Sequence, residues 1–254
     1  MAFATIDVTK GITGVLPDAN ANYSTPRKNA NPIIINGNMA VAQRSANATG
    51  LTSSGYKSLD RFYTTLYYTS SNVGTFTQSQ STDVPTGYGF RNSLKMDCTT
   101  AQTSLPADGQ IAIRHTIEAQ NMNPFKFGTS NAEKITLAFW VKSNLTGTYN
   151  VSMYHQDGSS TPQVNSQYSI SSANTWEKKT LTFVGDTDSG AGIVNDTGQG
   201  IWVSWHLSAG SNATGGGSNG GWKNYGGLTD WADGHGTNAV MTTASATWQM
   251  TECQ

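Results

Sequence analysis

Apolar and polar side chains alternate with a period of two along most of the chain from residue 31 onward. Residues 59–70, LDRFYTTLYYTS, set Phe62, Thr64, Leu66 and Tyr68 against Tyr63, Thr65 and Tyr67. Residues 92–98 place Leu94, Met96 and Cys98 on one face, with Lys95 and Asp97 opposite. In 110–119, Ile111, Ile113, His115 and Ile117 oppose Arg114, Thr116 and Glu118. In 134–143, Ile135, Leu137, Phe139 and Val141 oppose Thr136, Trp140 and Lys142. The runs 148–156, 175–184, 200–208 and 246–253 continue the series, with Ile201, Val203, Trp205 and Leu207 in line; 31–44 reads as a first strand with a break at Asn36-Gly37. Successive side chains of a strand point to opposite faces, so this pattern buries one face of each run. Turn residues punctuate the runs and no stretch carries a helical stripe. The pattern predicts an all-β fold, a sandwich of two stacked sheets.

Two segments fall outside the alternation. Residues 1–30 carry Gly11, Gly14, Pro17 and Pro26 among Asn, Ala and Ser, and read as an extended arm ahead of a domain at 31–254. Such an arm either docks on a partner or is a terminus without fixed structure, and the residues favour neither. Between Leu207 and Ala246 lies a glycine-rich insertion that nonetheless contains Trp222, Tyr225 and Trp231. Long loops in compact domains are usually functional or disordered, and the rings argue that this one packs on something.

Composition narrows the partners. Charged residues make up 12% and the net charge is −1, so there is no basic stripe to displace phosphate counter-ions, which argues against nucleic-acid binding. Low hydrophobicity could signal disorder, but seven Trp, ten Tyr and eight Phe argue for a packed core. No apolar run reaches the roughly 18 residues of a membrane-spanning helix, so no membrane insertion is expected. The leading MAFATIDVTKGITG lacks a basic region followed by an apolar one, the mark of a secretory signal. Cys98 and Cys253 sit in strand-like runs without metal-type spacing; two buried thiols are preferred over a disulfide.

Candidate chemistry is sparse. Gly215–Gly221 lacks the Lys-Ser/Thr ending and the strand–helix setting of a phosphate cradle. A glycosidase needs two carboxylates facing one cleft, and of Glu118, Glu133, Glu177 and Glu252 the strand-borne Glu118 and Glu177 fall on polar faces. No nucleophile elbow is present, and the reading is a protein that is not an enzyme and carries no cofactor. Asp230-Trp231-Ala232-Asp233-Gly234-His235 has calcium-like donors, but Asp-Gly is itself a turn signal and the turn is preferred, so no metal is assigned. His115 reads as a hydrogen-bonded core histidine, His155 as a strand-end residue and His206 as exposed. Trp222, Tyr225 and Trp231, flanked by Asp230 and Asp233, suit stacking on sugar rings with carboxylates on the hydroxyls. They equally suit anchoring the long loop to the sandwich or to a neighbouring subunit, and anchoring is preferred.

The ordered motifs NPIIINGNMAVAQRS and KSLDRF add a resemblance. Asn36-Gly37, Val41, Gln43-Arg44, Gly55-Tyr56 and Asp60-Arg61, followed by RHTIEA, KITLAFWVKS, TWEKKTLTF, GIWVSWHLS and TWQMTEC, resemble a module of bacteriophage tail-fibre and other virion proteins. That module is similar to family 4/9-type carbohydrate-binding jelly rolls, and the likeness covers residues 31–254. It implies a jelly-roll β-sandwich located in the virion after assembly in host cytoplasm. Residues 1–30 would attach it to other virion proteins. A tail fibre is the first choice, with a capsid-attached head fibre or decoration protein as the alternative. It further implies a homo-oligomer, with a trimer favoured, and a host-surface glycan as partner, without a catalytic set. Similar chains continue past the final motif, so the native chain is expected to extend beyond Gln254. The resemblance fixes no glycan-binding positions. Arg44, Asp60 and Arg61 are read as structural, with Asp60 pairing to one of the two arginines at the sandwich rim.

Overall fold

The computed structural model describes residues 33–67, 74–155 and 157–254. The arm expected at 1–30, Tyr68 at the end of the 59–70 run, and Gln156 lie outside the described residues. In chain order the strands are β1 (Asn47–Leu51), β2 (Gly55–Tyr56), β3 (Phe62–Tyr67), β4 (Thr75–Ser81), β5 (Ser93–Thr100), β6 (Gln110–Glu118) and β7 (Ile135–Ser143). They continue with β8 (Gly147–His155), β9 (Pro162–Ile170), β10 (Glu177–Phe183), β11 (Gln199–Ala209), β12 (Lys223–Asn224) and β13 (Thr247–Thr251). A first sheet has the order β1-β4-β5-β13-β7-β10, and a second has the order β12-β9-β8-β11-β6-β3-β2. All strand pairs are antiparallel. The chain crosses between the sheets at every sequential step except β2 to β3, β4 to β5, β8 to β9 and β11 to β12, which makes the sandwich a jelly roll.

The alternating faces meet where the pattern places them. Leu94, Met96, Phe139, Val141, Ile111, Ile113, Val203, Trp205 and Leu207 are all fully buried between the sheets. Trp205 lies at the centre, with its ring 5.9 Å from Phe139 of the facing sheet and 6.3 Å from Phe62 beside it. His115 belongs to this core, its Nε2 3.2 Å from the backbone nitrogen of Ile35. Buried Gln78 joins the layers: its Oε1 accepts from the backbone of Ser58 at 2.7 Å and its Nε2 donates to Thr64 Oγ1 at 2.8 Å. Cys98 and Cys253 are buried free thiols, and burial pushes the Cys98 thiol up to about 11.

The segment expected as a first strand forms turns instead. Asn36 and Met39 adopt left-handed φ values of 62° and 56°, which breaks any extended run. The Asn36 side chain replaces a ladder, accepting from Val41 N at 2.9 Å and donating to Val41 O at 2.9 Å and Asp60 O at 3.0 Å. Gly37 is required here because a Cβ would overlap the Cys253 carbonyl oxygen, while Gly37 O accepts from Cys253 N at 3.0 Å. Residues 33–44 thus form a strap that fastens the chain end at Cys253. Asp60 holds the strap: its carboxylate accepts from Gln43 N at 3.1 Å and from Arg44 Nη1 at 2.7 Å. Arg61 pairs elsewhere, with Glu118 at 2.9 Å.

Candidate functional site

The outer face of the second sheet is where tertiary structure departs most from a simple sandwich. On β8, β9 and β11 the outward side chains are Asn150, Ser152, Gln163, Asn165, His206 and Ser208, which would face water in a bare sheet. All are buried, because residues 210–245 fold back over them. Each outward amide group ties the insertion down. Asn150 donates to Asp233 O at 2.9 Å, Asn165 to Asp230 O at 2.8 Å and Gln163 to Trp231 O at 3.1 Å. Asn165 N donates to Ser218 O at 2.9 Å, and Ser208 Oγ accepts from Met241 N at 3.0 Å. A glycine-rich chain needs such partners, since its own backbone groups are otherwise unpaired.

His206, expected to be exposed, is fully buried under this cover. Its Nε2 lies 2.9 Å from Ser152 Oγ, and the Trp231 ring stands edge-on to it at 5.8 Å. Burial and the neighbouring His235 push its pKa well below the usual histidine value. His235 is held between the carbonyls of Gly236 at 2.8 Å and His206 at 3.2 Å.

The residues singled out in the insertion separate into two groups. Asp230 and Asp233, candidates for sugar hydroxyls or for anchoring the loop, are buried and spent within the loop. Asp230 pairs with Lys223 at 3.1 Å and accepts from Gly226 N; Asp233 accepts from Asn219 N at 2.9 Å. Among the described residues no three His, Cys, Asp or Glu side chains converge to hold a metal ion. Trp222 faces another way, with its Nε1 donating to Val184 O at 2.6 Å and its ring 5.4 Å from Phe127. Tyr225 and Trp231 come together. Both pack on Tyr154, at 5.1 and 6.4 Å, and Trp231 also meets Trp202 at 6.4 Å.

Tyr225 and Trp231 form one wall of an open groove of about 360 Å³. Leu228 completes that wall, and Ser54, Tyr63, Thr65, Tyr67, Gln110 and Arg114 form the rest. The strand residues are there by period and register: Tyr63, Thr65 and Tyr67 are the outward face of β3, and Arg114 of β6 lies directly opposite Tyr63. The Arg114 guanidinium carbon sits 4.3 Å from the Tyr63 ring centroid and 3.8 Å from that of Trp202. Period-two reading had placed Tyr63, Tyr67 and Arg114 on the outward face, but not beside an insertion more than a hundred residues later in the chain. Aromatic residues on a polar strand face were the available signal, since an ordinary solvated face has little need of them.

No family model matches the sequence, and no curated protein matches it. Solved structures share the sandwich layout loosely. A tailspike protein 4 enzymatically active domain of bacteriophage CBA120 aligns at 12% identity and a TM-score of 0.40, over 75% of this chain. This chain spans only 18% of that domain's length. A sugar-binding protein from Bacteroides thetaiotaomicron aligns at 11% identity over 87% of this chain and 97% of its own, TM-score 0.40. The family 11 carbohydrate-binding module of a cellulosomal cellulase from Clostridium thermocellum aligns at 11% over 82% and 94%, TM-score 0.35. Likenesses at this level carry no functional argument, which rests on the residues of this chain.

Proposed function

We propose that the protein is a non-catalytic carbohydrate-binding sandwich whose ligand lies in the groove between β3, β6 and the insertion. The observation that carries this reading is the convergence of Tyr63, Tyr67, Tyr225 and Trp231 on one open cleft with Thr65, Gln110 and Arg114 beside them. Sugar rings offer apolar faces that stack on aromatic rings and hydroxyls that need convergent polar partners, and the groove supplies both. Among the described residues no carboxylate lines it, so they supply neither acid nor nucleophile for hydrolysis by a carboxylate pair there. Binding to an oligosaccharide panel, followed by calorimetry, tests the reading. Trp231→Ala is expected to weaken binding at least tenfold, about 1.4 kcal/mol, the scale of an aromatic hot spot. Trp140→Ala, on the outer face of the opposite sheet, serves as the control and leaves affinity unchanged. Equal affinity in wild type and Trp231→Ala would falsify the assignment.

The setting we propose is a virus particle, supported by the ordered motifs around Asn36-Gly37, Gln43-Arg44 and Asp60-Arg61. There the chain serves as a trimeric tail fibre, or alternatively as a capsid-attached head fibre or decoration protein, docked through residues 1–30 and presenting the groove to host-surface glycans. Particles assembled with a chain lacking residues 1–30 are expected to be free of it after purification. Normal incorporation of the shortened chain removes the docking role.

A further inference from the structure

Among the described residues no carboxylate pairs with Arg114 in the groove. The ion pairs of the described residues engage other cations, among them Arg44 with Asp60, Arg61 with Glu118 and Lys223 with Asp230. The Arg114 guanidinium is instead held between the rings of Tyr63 and Trp202. Its Nε is buried with no hydrogen-bond partner among the described residues, and the same is true of Thr65 Oγ1 and Trp231 Nε1 in the same groove. Burial pulls the Arg114 pKa down from the ordinary arginine value, against the opposing influence of Tyr63 and Tyr56. An arginine nevertheless keeps its charge in a protein. A partly buried charge is costly unless something of opposite sign pairs with it. Stacking on two rings fixes the guanidinium plane, so its donors are already oriented for a carboxylate and little side-chain freedom is lost on binding.

We propose that the groove selects acidic sugars: a carboxylate-bearing residue of the uronic or sialic acid class pairs with Arg114 while its ring stacks on the aromatic wall. The inference rests on the carbohydrate-binding reading and narrows it to one chemical class. A neutral sugar would leave the cation uncompensated and gain only the stacking.

The test measures binding of the full chain to galacturonate, glucuronate and sialate oligosaccharides, each beside its carboxyl-reduced derivative. At least one acid is expected to bind tenfold or more tightly than its reduced partner, which differs from it only at the carboxyl. Added salt is expected to weaken the acid and leave the reduced sugar little changed. Arg114→Gln is expected to erase the difference within the pair, and Arg114→Lys to keep part of it. Arg114→Gln also removes two stacking contacts, so the comparison of acid with reduced sugar on the wild-type chain decides the matter without any variant. Equal binding of both members of every pair overturns the acidic preference and leaves the carbohydrate-binding reading standing. Binding of neither overturns the acidic preference, and the wider oligosaccharide panel then decides the carbohydrate-binding reading.

Discussion

Trp205→Ala is expected to destabilise the protein by about 3–5 kcal/mol, the range for a large aromatic removed from a packed core. Trp205 sits fully buried on β11 between Phe62 and Phe139, so its loss opens a cavity where the two sheets meet. Neighbouring strands are pinned by their ladders and cannot collapse into that space, which keeps the cost near the upper part of the range. For a domain of this size the melting temperature should fall by roughly 6–20 °C. Trp205→Phe separates packing from chemistry. It keeps a ring against Phe62 and Phe139 and removes an indole N–H that has no hydrogen-bond partner among the described residues, so its cost should be far smaller. Denaturant unfolding of both variants checks this, and an alanine variant as stable as wild type would show that Trp205 is not central to the core.

Acidification is expected to cost a comparable amount through the buried histidines. His115, His206 and His235 are buried, and burial lowers the pKa of each, that of His115 to about 4. For His115 the nearby Arg61 charge adds to the effect, and the hydrogen bond to Ile35 opposes it. In the unfolded chain a histidine takes its proton near pH 6.5. Between about pH 6.5 and 4 the unfolded chain therefore binds more protons than the native one, and stability falls as pH falls through that window. His115 alone accounts for roughly 3 kcal/mol of this loss at the bottom of the window. The half-buried Glu118 and exposed Glu133 have lowered pKa values through their partners Arg61 and Lys126, so their contribution begins to be lost near the ordinary glutamate value of about 4.3, at the acid end of this window, and goes on being lost below it. Unfolding free energies measured from pH 7 to pH 4 should slope downward with acid. His115→Gln keeps an acceptor for Ile35 and cannot titrate, so it should flatten part of that slope. A wild-type profile level over this range would contradict the neutral buried histidines.

Much of the fold is legible because burial of one strand face writes itself into the chain as alternation. The runs at 110–119, 134–143 and 200–208 correspond to β6, β7 and β11, with Ile113, Phe139 and Trp205 inward. Legibility fails where the burying partner is polar or distant. The residues of β9, PQVNSQYSI, do not look like a strand with two buried faces, yet Gln163 and Asn165 are buried because they bond the carbonyls of Asp230 and Trp231. His206 was misplaced for the same reason: its exposure depends on a segment that returns over it. The run at 31–44 failed differently, since local side-chain bonds from Asn36 outcompeted an extended backbone. In the candidate site, Tyr225 and Trp231 could be singled out as aromatics within a glycine-rich loop. For Asp230 and Asp233 the sequence left sugar contact and anchoring both open, because a carboxylate in a turn is as readily consumed by its own backbone as offered to a ligand.

By itself the sequence determined the sheet content and the inward face of the long strands. Those properties follow from nearest-neighbour geometry and composition. Tertiary structure alone decided which outward face would be covered, that Arg114 would lie between Tyr63 and Trp202, and that the insertion would supply the opposite wall of the groove. The reason is that strand pairing joins residues far apart in the chain, and no local period records which distant segment closes over a given face.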